Sequence, residues 1–437
     1  MTLFDRMLWL IAFRSLWQHR LRTLLLGTAI AGVTALLVTV TGTYVGIRTT
    51  LLVSATTLMS GHVNVSGFYK ATASQSAPVV TGYAKVRDVI QREVPELDYV
   101  VQRGRAWTRV VSDHGSVQLG VGGIDIEHEP GFRKVIKVVS GNLDDLKRPD
   151  GLMLFEDHAT KLGVKVGDVL TLVATTFKGT NNTLDVTLVA IAANIGMMSG
   201  WNSFLNDDGL RKLHQLNDQT TGVLQLYLKD IDDVKRVQER LRVSLGRAGY
   251  EVLEPDARPF WMKFDSLNRE NWTGQKLDVT NWEDETSFVQ WIVTALTIMA
   301  TIVIAALIAI IAVGIMNVMW ISIRERTREI GTLRAVGMQR TSVLAMFVAE
   351  GFLLGLLGTV GGALVGVALS AALTGAHIVL PKSWQFVFFS ERLVVSPTPA
   401  WVLFSVGFIT FAITAVSLFP SFLAARLKPI TAMGHVG

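Results

Sequence analysis

The segment Arg324–Gly337 sets Glu325, Arg326, Arg328, Glu329 and Arg334 around two glycines, Gly331 and Gly337. No other stretch orders its charges so closely between two apolar runs. Catalysis is not what this pattern offers. The eight histidines are scattered and make no metal-ligand spacing. The carboxylate pairs Asp144–Asp145, Asp207–Asp208 and Asp232–Asp233 read as solvated turn residues. There is no cysteine, which excludes disulfides, zinc–thiolate sites and thiol nucleophiles. No G-x-x-x-x-G-K-[ST] loop cradles a phosphate. No Ser/His/Asp constellation can be assembled either, so no catalytic, cofactor-binding or metal site is expected. Arg324–Gly337 can instead act mechanically. On a helix, Glu325 and Arg328 are i,i+3 and Glu325 and Glu329 are i,i+4, so they share a face. A short charged helix held between two spans is a lever that can dock on a soluble partner. Arginines that only fix topology need no order, and Glu-Arg-Thr-Arg-Glu-Ile-Gly is ordered. Leu333 and Val336 would pack the segment against the spans.

Four windows almost free of charge must hold this lever. Residues 23–47 and 286–323 are uncharged and 25 and 38 residues long. Residues 341–376 carry only Glu350, and 397–425 open at Pro397 and Pro399. About 20 residues at 1.5 Å each cross a bilayer, so each window reads as a transmembrane helix. The second is overlong, and its helix is expected to begin outside the bilayer near Glu283–Phe288. The third is rich in glycine, from Gly351 to Gly366, which suits close helix packing. Glu350 lies ten residues past Arg340, about 15 Å along a helix, and reads as an interfacial residue more than as a functional acid.

Charge distribution orients the spans. Residues 1–22, 324–340 and 426–437 together hold 11 basic and 3 acidic residues, whereas 48–285 hold 28 and 31. The positive-inside rule therefore puts both termini and the 324–340 loop in the cytoplasm. The segment 48–285 and the short loop 377–396 are then external. The net charge of +5 reports topology, and no nucleic-acid partner is expected. Residues 1–22, with Phe4, Leu8, Ile11 and Trp17, read as an amphipathic helix at the cytoplasmic interface. Residues 48–285 read as mixed α/β. Strands are expected at Gly61–Ser66, Val117–Ile126, Val169–Ala174, Leu184–Ala193 and Val223–Leu228. Helices are expected at Ala84–Val94, Asp157–Leu162 and Ile231–Ala248. Arg258–Glu285 shows no period and reads as a linker returning to the second span.

The loop Asn317–Ser342 resembles the signature of the FtsX-like permease domain found in macrolide exporters of the MacB type, lipoprotein-releasing permeases of the LolC/LolE type, and FtsX. Arg14–Thr23, Glu350–Gly355 with Gly361 and Gly362, and Pro420 followed by Ala424–Pro429 resemble the family on either side. Ala159–Asp168 is similar to the external domain of the lipoprotein-releasing branch. The resemblance implies an α-helical membrane domain of four transmembrane helices with a large MacB-like α/β periplasmic domain inserted between helices 1 and 2. It implies a bacterial inner-membrane ABC transporter permease that is not itself an enzyme, paired with a second permease copy or a homologous permease. With only 22 residues ahead of the first span, a cytoplasmic ABC ATPase dimer on separate chains is expected to bind the ATP and magnesium. Glu325, Arg326, Arg328, Glu329, Gly331, Arg334 and Gly337 would couple to it. Motion would pass by mechanotransmission to external lipophilic cargo: a lipoprotein, an amphipathic peptide or a toxin. A periplasmic adaptor (membrane-fusion protein) or a lipoprotein carrier is the implied partner outside. The alternative is an FtsX-like signalling permease that regulates a periplasmic partner and moves nothing.

Overall fold

In the computed structural model, the described residues are 3–18, 20–71, 75–177, 179–388 and 390–426. They divide into a helical unit (Met1–Ile47, Thr294–Val379, Arg392–Gly437) and an α/β unit (Arg48–Val293, Leu380–Glu391).

Four helices are long and apolar enough to cross a membrane: Thr23–Leu58, Ser287–Glu325, Arg340–Gly375 and Pro399–Ala425. Within the helical unit, small residues set their packing. A Cβ on Gly351 would lie 2.7 Å from the Ser417 hydroxyl of the last helix. On Gly358 it would lie 2.8 Å from the Ile30 side chain of the first, and on Gly366 2.9 Å from the Ala35 carbonyl. The glycine-rich Arg340–Gly375 helix is therefore gripped from both sides, as close helix approach in lipid demands. Thr359 and Thr410 join two of these helices by a 2.9 Å hydroxyl contact. The N-terminal helix Leu3–Gln18 buries Ala12, Ser15 and Leu16 and leaves Trp17 exposed. Trp17 thus lies off the face that Ile11 shares with the core. The side chains of Phe4 and Leu8 lie outside the described residues.

In the α/β unit the strands are β1 (Val63–Lys70), β2 (Val80–Thr81), β3 (Leu97–Ser112), β4 (Gly115–Ile124), β5 (Val138–Gly141), β6 (Gly151–Phe155), β7 (Val169–Thr175), β8 (Asn181–Ala192), β9 (Asn202–Asn206), β10 (Thr220–Thr221), β11 (Val223–Leu228), β12 (Glu251–Val252) and β13 (Gly274–Asn281). The 16-residue β3 serves two lobes. Its first half pairs with β11, which continues to β1, β13 and β12. Helices Tyr83–Glu93 and Val234–Arg247 cover this sheet, burying Val86, Ile90, Val237 and Leu241 against Val65, Leu226 and Val279. The second half of β3 pairs with β4 and β7, and the circuit β3-β4-β9-β6-β8-β7 returns to β3. Six strands thus close a small barrel, which removes their edges. Leu119, Leu152, Leu172 and Leu188 fill it.

The expected strands and helices appear within a few residues of their predicted bounds, but Arg258–Glu285 is no linker. It contains the helix Phe264–Arg269 and β13, a strand flanked by β1 and β12. Polar residues hid it: Asp278, Thr280 and Asn281 are buried in β13, where Asp278 Oδ2 accepts from Lys263, Thr280 donates to Glu285 and Asn281 donates to Gln238. The second long helix begins within its predicted bounds, because the 3-10 turn Ser287–Val289 runs directly into the α-helix from Gln290. Two turns, Trp282–Glu285 and Ser287–Val289, thus lead into it. A capping box between Asn281 and Asp284 starts the first of them.

Candidate functional site

The long helix ends at Glu325, the chain bends at Arg326 (φ −101°, ψ 11°), and a second helix runs Thr327–Ala335. Gly337 closes it at φ +108°, a conformation glycine adopts without strain. The bend interrupts the face that Glu325 was expected to share with Arg328 and Glu329, because the i,i+4 rule assumes an unbroken helix.

The short helix has an inner and an outer face. Ile330 is buried with Leu16, Val343, Phe347 and Ala424, and Gly331 is buried beside it. Arg326 also turns inward. Its Nη1 donates to the Ser15 hydroxyl at 2.8 Å and to Glu350 Oε2 at 3.3 Å, and its Nε donates to Glu329 at 3.1 Å. Ser15 in turn donates to Glu350 Oε1 at 3.1 Å. The guanidinium lies 5.8 Å over the Phe347 ring. Glu350 is 4% exposed, so burial without this cation would be costly. It joins three helices as a clamp through Ser15 and Arg326, a structural role rather than that of a functional acid. Arg334 donates from Nη1 to the Ala425 carbonyl at 2.9 Å, meeting the end of the last helix where carbonyls lack partners.

Outward lie Arg324, Glu325, Arg328, Glu329, Thr332 and Val336. Val336 is 89% exposed and does not pack the loop inward, because it sits past the last helical turn. The Leu333 side chain lies outside the described residues. The seven residues singled out from sequence therefore separate. Glu325, Arg328 and Glu329 are presented. Arg326, Gly331 and Arg334 hold the helix in place, and Gly337 ends it. Sequence reasoning missed Ser15 as a partner. The available signal was the cost of an uncompensated carboxylate at Glu350, which calls for a nearby donor. Among the described residues no group of three or more His, Asp or Glu side chains could hold a metal ion.

Residues 289–429 match the family described as FtsX-like permease C-terminal. An ABC transporter permease of Methanocaldococcus jannaschii is 27% identical over 271 residues, covering 61% of this chain and 57% of that protein. The macrolide export ATP-binding/permease protein MacB of Burkholderia cenocepacia is 31% identical over 143 residues, covering 32% of this chain and 19% of MacB. The chain thus spans about half of the first relative's length and a fifth of the second's. The periplasmic region of MacB from Actinobacillus actinomycetemcomitans aligns at a TM-score of 0.31 and 10% identity, covering 53% of this chain and 94% of that one.

Proposed function

We propose that this chain, which carries an FtsX-like permease domain homologous to those of MacB and other ABC transporter permeases, is the membrane-spanning subunit of a transporter driven by a separate cytoplasmic ABC ATPase. The observation that carries this reading is the two-faced helix Thr327–Ala335. Its inner face is fixed by Arg326, Ile330 and Arg334, so a push on the outer face is transmitted and not absorbed. Its outer face presents Arg328 and Glu329 to a docking partner. ATP and magnesium bind the partner, and its closure moves this helix and the Gln290–Glu325 helix continuous with the bend. With the helix in the cytoplasm, the α/β unit is periplasmic and the membrane is the bacterial inner membrane. The moved cargo is lipophilic, and a second permease completes the assembly.

The test is co-purification of a cytoplasmic ABC ATPase with this chain from its native cells. Arg328→Glu reverses an exposed charge and leaves the inner face untouched, so it weakens recovery of the ATPase about ten-fold or more while the protein still folds. Arg326→Gln instead breaks the clamp and lowers the stability of the helical unit. Undiminished ATPase recovery by folded Arg328→Glu and Glu325→Lys variants would remove this face as the docking surface. External labelling of a cysteine placed at Arg328 would overturn the orientation.

A further inference from the structure

Within the α/β unit, where β3 leaves β11 and takes up β4, a cavity of about 570 Å³ opens between the covered sheet and the barrel. Its size is in the range of small-molecule sites, roughly 300–1,000 Å³. Aromatic rings from separate elements form its wall. Trp261 and Phe288 pack edge to face at 5.4 Å, Trp201 leans on Phe288 at 5.7 Å, and Phe177 stacks on His214 at 4.9 Å.

Polar atoms converge on this apolar wall without being satisfied. Arg103 and Arg105 lie on the same face of β3, two residues apart, yet they differ. Arg103 is saturated: it binds Glu129 through two nitrogens and the Thr57 carbonyl through a third. Arg105, with a side chain only 9% exposed, has no such partner. Its Nη1 is 3.9 Å from Glu285, beyond hydrogen-bond reach, and donates to no closer acceptor among the described residues. Its Nη2 reaches the Met59 carbonyl only at 3.4 Å. The guanidinium is held in place over Phe260 at 4.7 Å. Both ring nitrogens of buried His214 lack partners, as does Oε1 of Gln225. Burial pulls the His214 pKa down to about 4, so at neutral pH it offers one donor and one acceptor. Buried polar groups in folded proteins are nearly always bonded, and the exceptions call for an explanation.

We propose that this cavity is a binding site for a small amphiphilic monoacid, whose carboxylate is taken by Arg105 and whose apolar body lies against the Trp261–Phe288 wall. A carboxylate suits one planar guanidinium edge. A dianion would leave its second charge uncompensated, because Arg103 is already engaged. His214 and Gln225 give orientation to any polar group further along the ligand. The inference uses only residues of the α/β unit and stands whatever the short helix docks on.

The test uses the full-length chain in lipid nanodiscs and two fluorescent probes, dansyl-labelled undecanoic acid and its carboxamide. The acid gives saturable, blue-shifted emission above protein-free nanodiscs, and the amide binds about ten-fold or more weakly, since it leaves a buried guanidinium unmatched. Arg105→Gln removes that preference and leaves amide binding unchanged, Arg105→Lys restores part of it, and Trp261→Ala weakens both probes alike. Because Arg105→Gln can unfold the lobe, the probe pair on the unaltered protein is decisive. Equal saturation by acid and amide, or no saturable signal above the nanodisc background, overturns the proposal.

Discussion

The helical unit and the α/β unit bury polarity by opposite means. In the helical unit the closest helix approaches are made at glycines, against partners such as Ser417, Ile30 and Thr34, with Arg326–Glu350 set at one end. In the α/β unit whole charges are buried and matched: Arg103 with Glu129, and Lys263 with Asp278 at 2.7 Å. The first scheme relies on backbone closeness and tolerates no added bulk. The second relies on pairing, with Arg105, 3.9 Å from Glu285, its loosest case. In lipid the apolar effect does not draw helices together, so closeness is what remains. A sheet-and-barrel unit with a conventional core can carry charges inside, provided each has its counter-ion.

The largest effect follows from bulk. Gly362 meets the Ala31 backbone and Thr34, whereas Gly361, one position along, has nothing near its missing Cβ. Gly362→Leu should abolish the assembled helical unit, seen as loss of the monodisperse peak in detergent. Gly361→Leu should be neutral or slightly stabilising, since leucine is the better helix former by up to about 1 kcal/mol. Equal behaviour of the two variants would break the packing half of the comparison.

The next effect follows from pairing. Lys263 and Asp278 side chains are 3% and 1% exposed. Lys263→Met leaves a carboxylate buried without its cation, and should destabilise the α/β unit by about 3–5 kcal/mol. The double variant Lys263→Met with Asp278→Leu should recover most of that loss. Arg326→Met should cost less, about 1–3 kcal/mol, because Glu350 keeps its bond to Ser15. Urea titration with limited proteolysis as readout separates the two units. A double variant no more stable than Lys263→Met would show that the pair is not what the fold tolerates.

These same schemes decided what was legible beforehand. Glycine-spaced apolar windows announce themselves, so the four long helices and the glycine face of Arg340–Gly375 could be read. The short charged helix was legible as an element but not as two faces. Nothing local says that Arg326 points to a residue 24 positions on, or that Ser15 joins them. In the α/β unit, periodicity found helices with one apolar face, such as Val234–Arg247. It failed at β3 and β13, where Arg103, Arg105 and Asp278 occupy interior positions that an apolar pattern would leave blank. Closure of the barrel rests on pairings such as Val110 with Leu172, which no window of sequence contains. The unsatisfied cluster around Arg105 was invisible for the same reason.

The smallest effect concerns acid, and the comparison assigns it to one unit. His158 and His214 are buried in the α/β unit and His62 is half-buried, and desolvation lowers the pKa of each. His214 is the clearest, at about 4 against an ordinary 6.5, because neither ring nitrogen has a partner to stabilise the charged form. A group whose folded pKa lies below its unfolded one binds more protons when unfolded. Its contribution to stability is therefore complete above about pH 6.5 and is lost as pH falls toward 4. Between pH 7 and pH 5 the loss from His214 is about 1–2 kcal/mol. His214→Phe keeps the stack on Phe177 and removes the titration. Its α/β unit should thus lose that much less stability over the same interval, measured by proteolysis in urea at both pH values. Among the described residues, the helix contacts of the other unit hold no histidine, and its resistance to urea should change little. If His214→Phe and the unaltered protein fall in parallel from pH 7 to pH 5, the ring is already bonded in the folded state, and the open cluster around Arg105 has one orphan fewer.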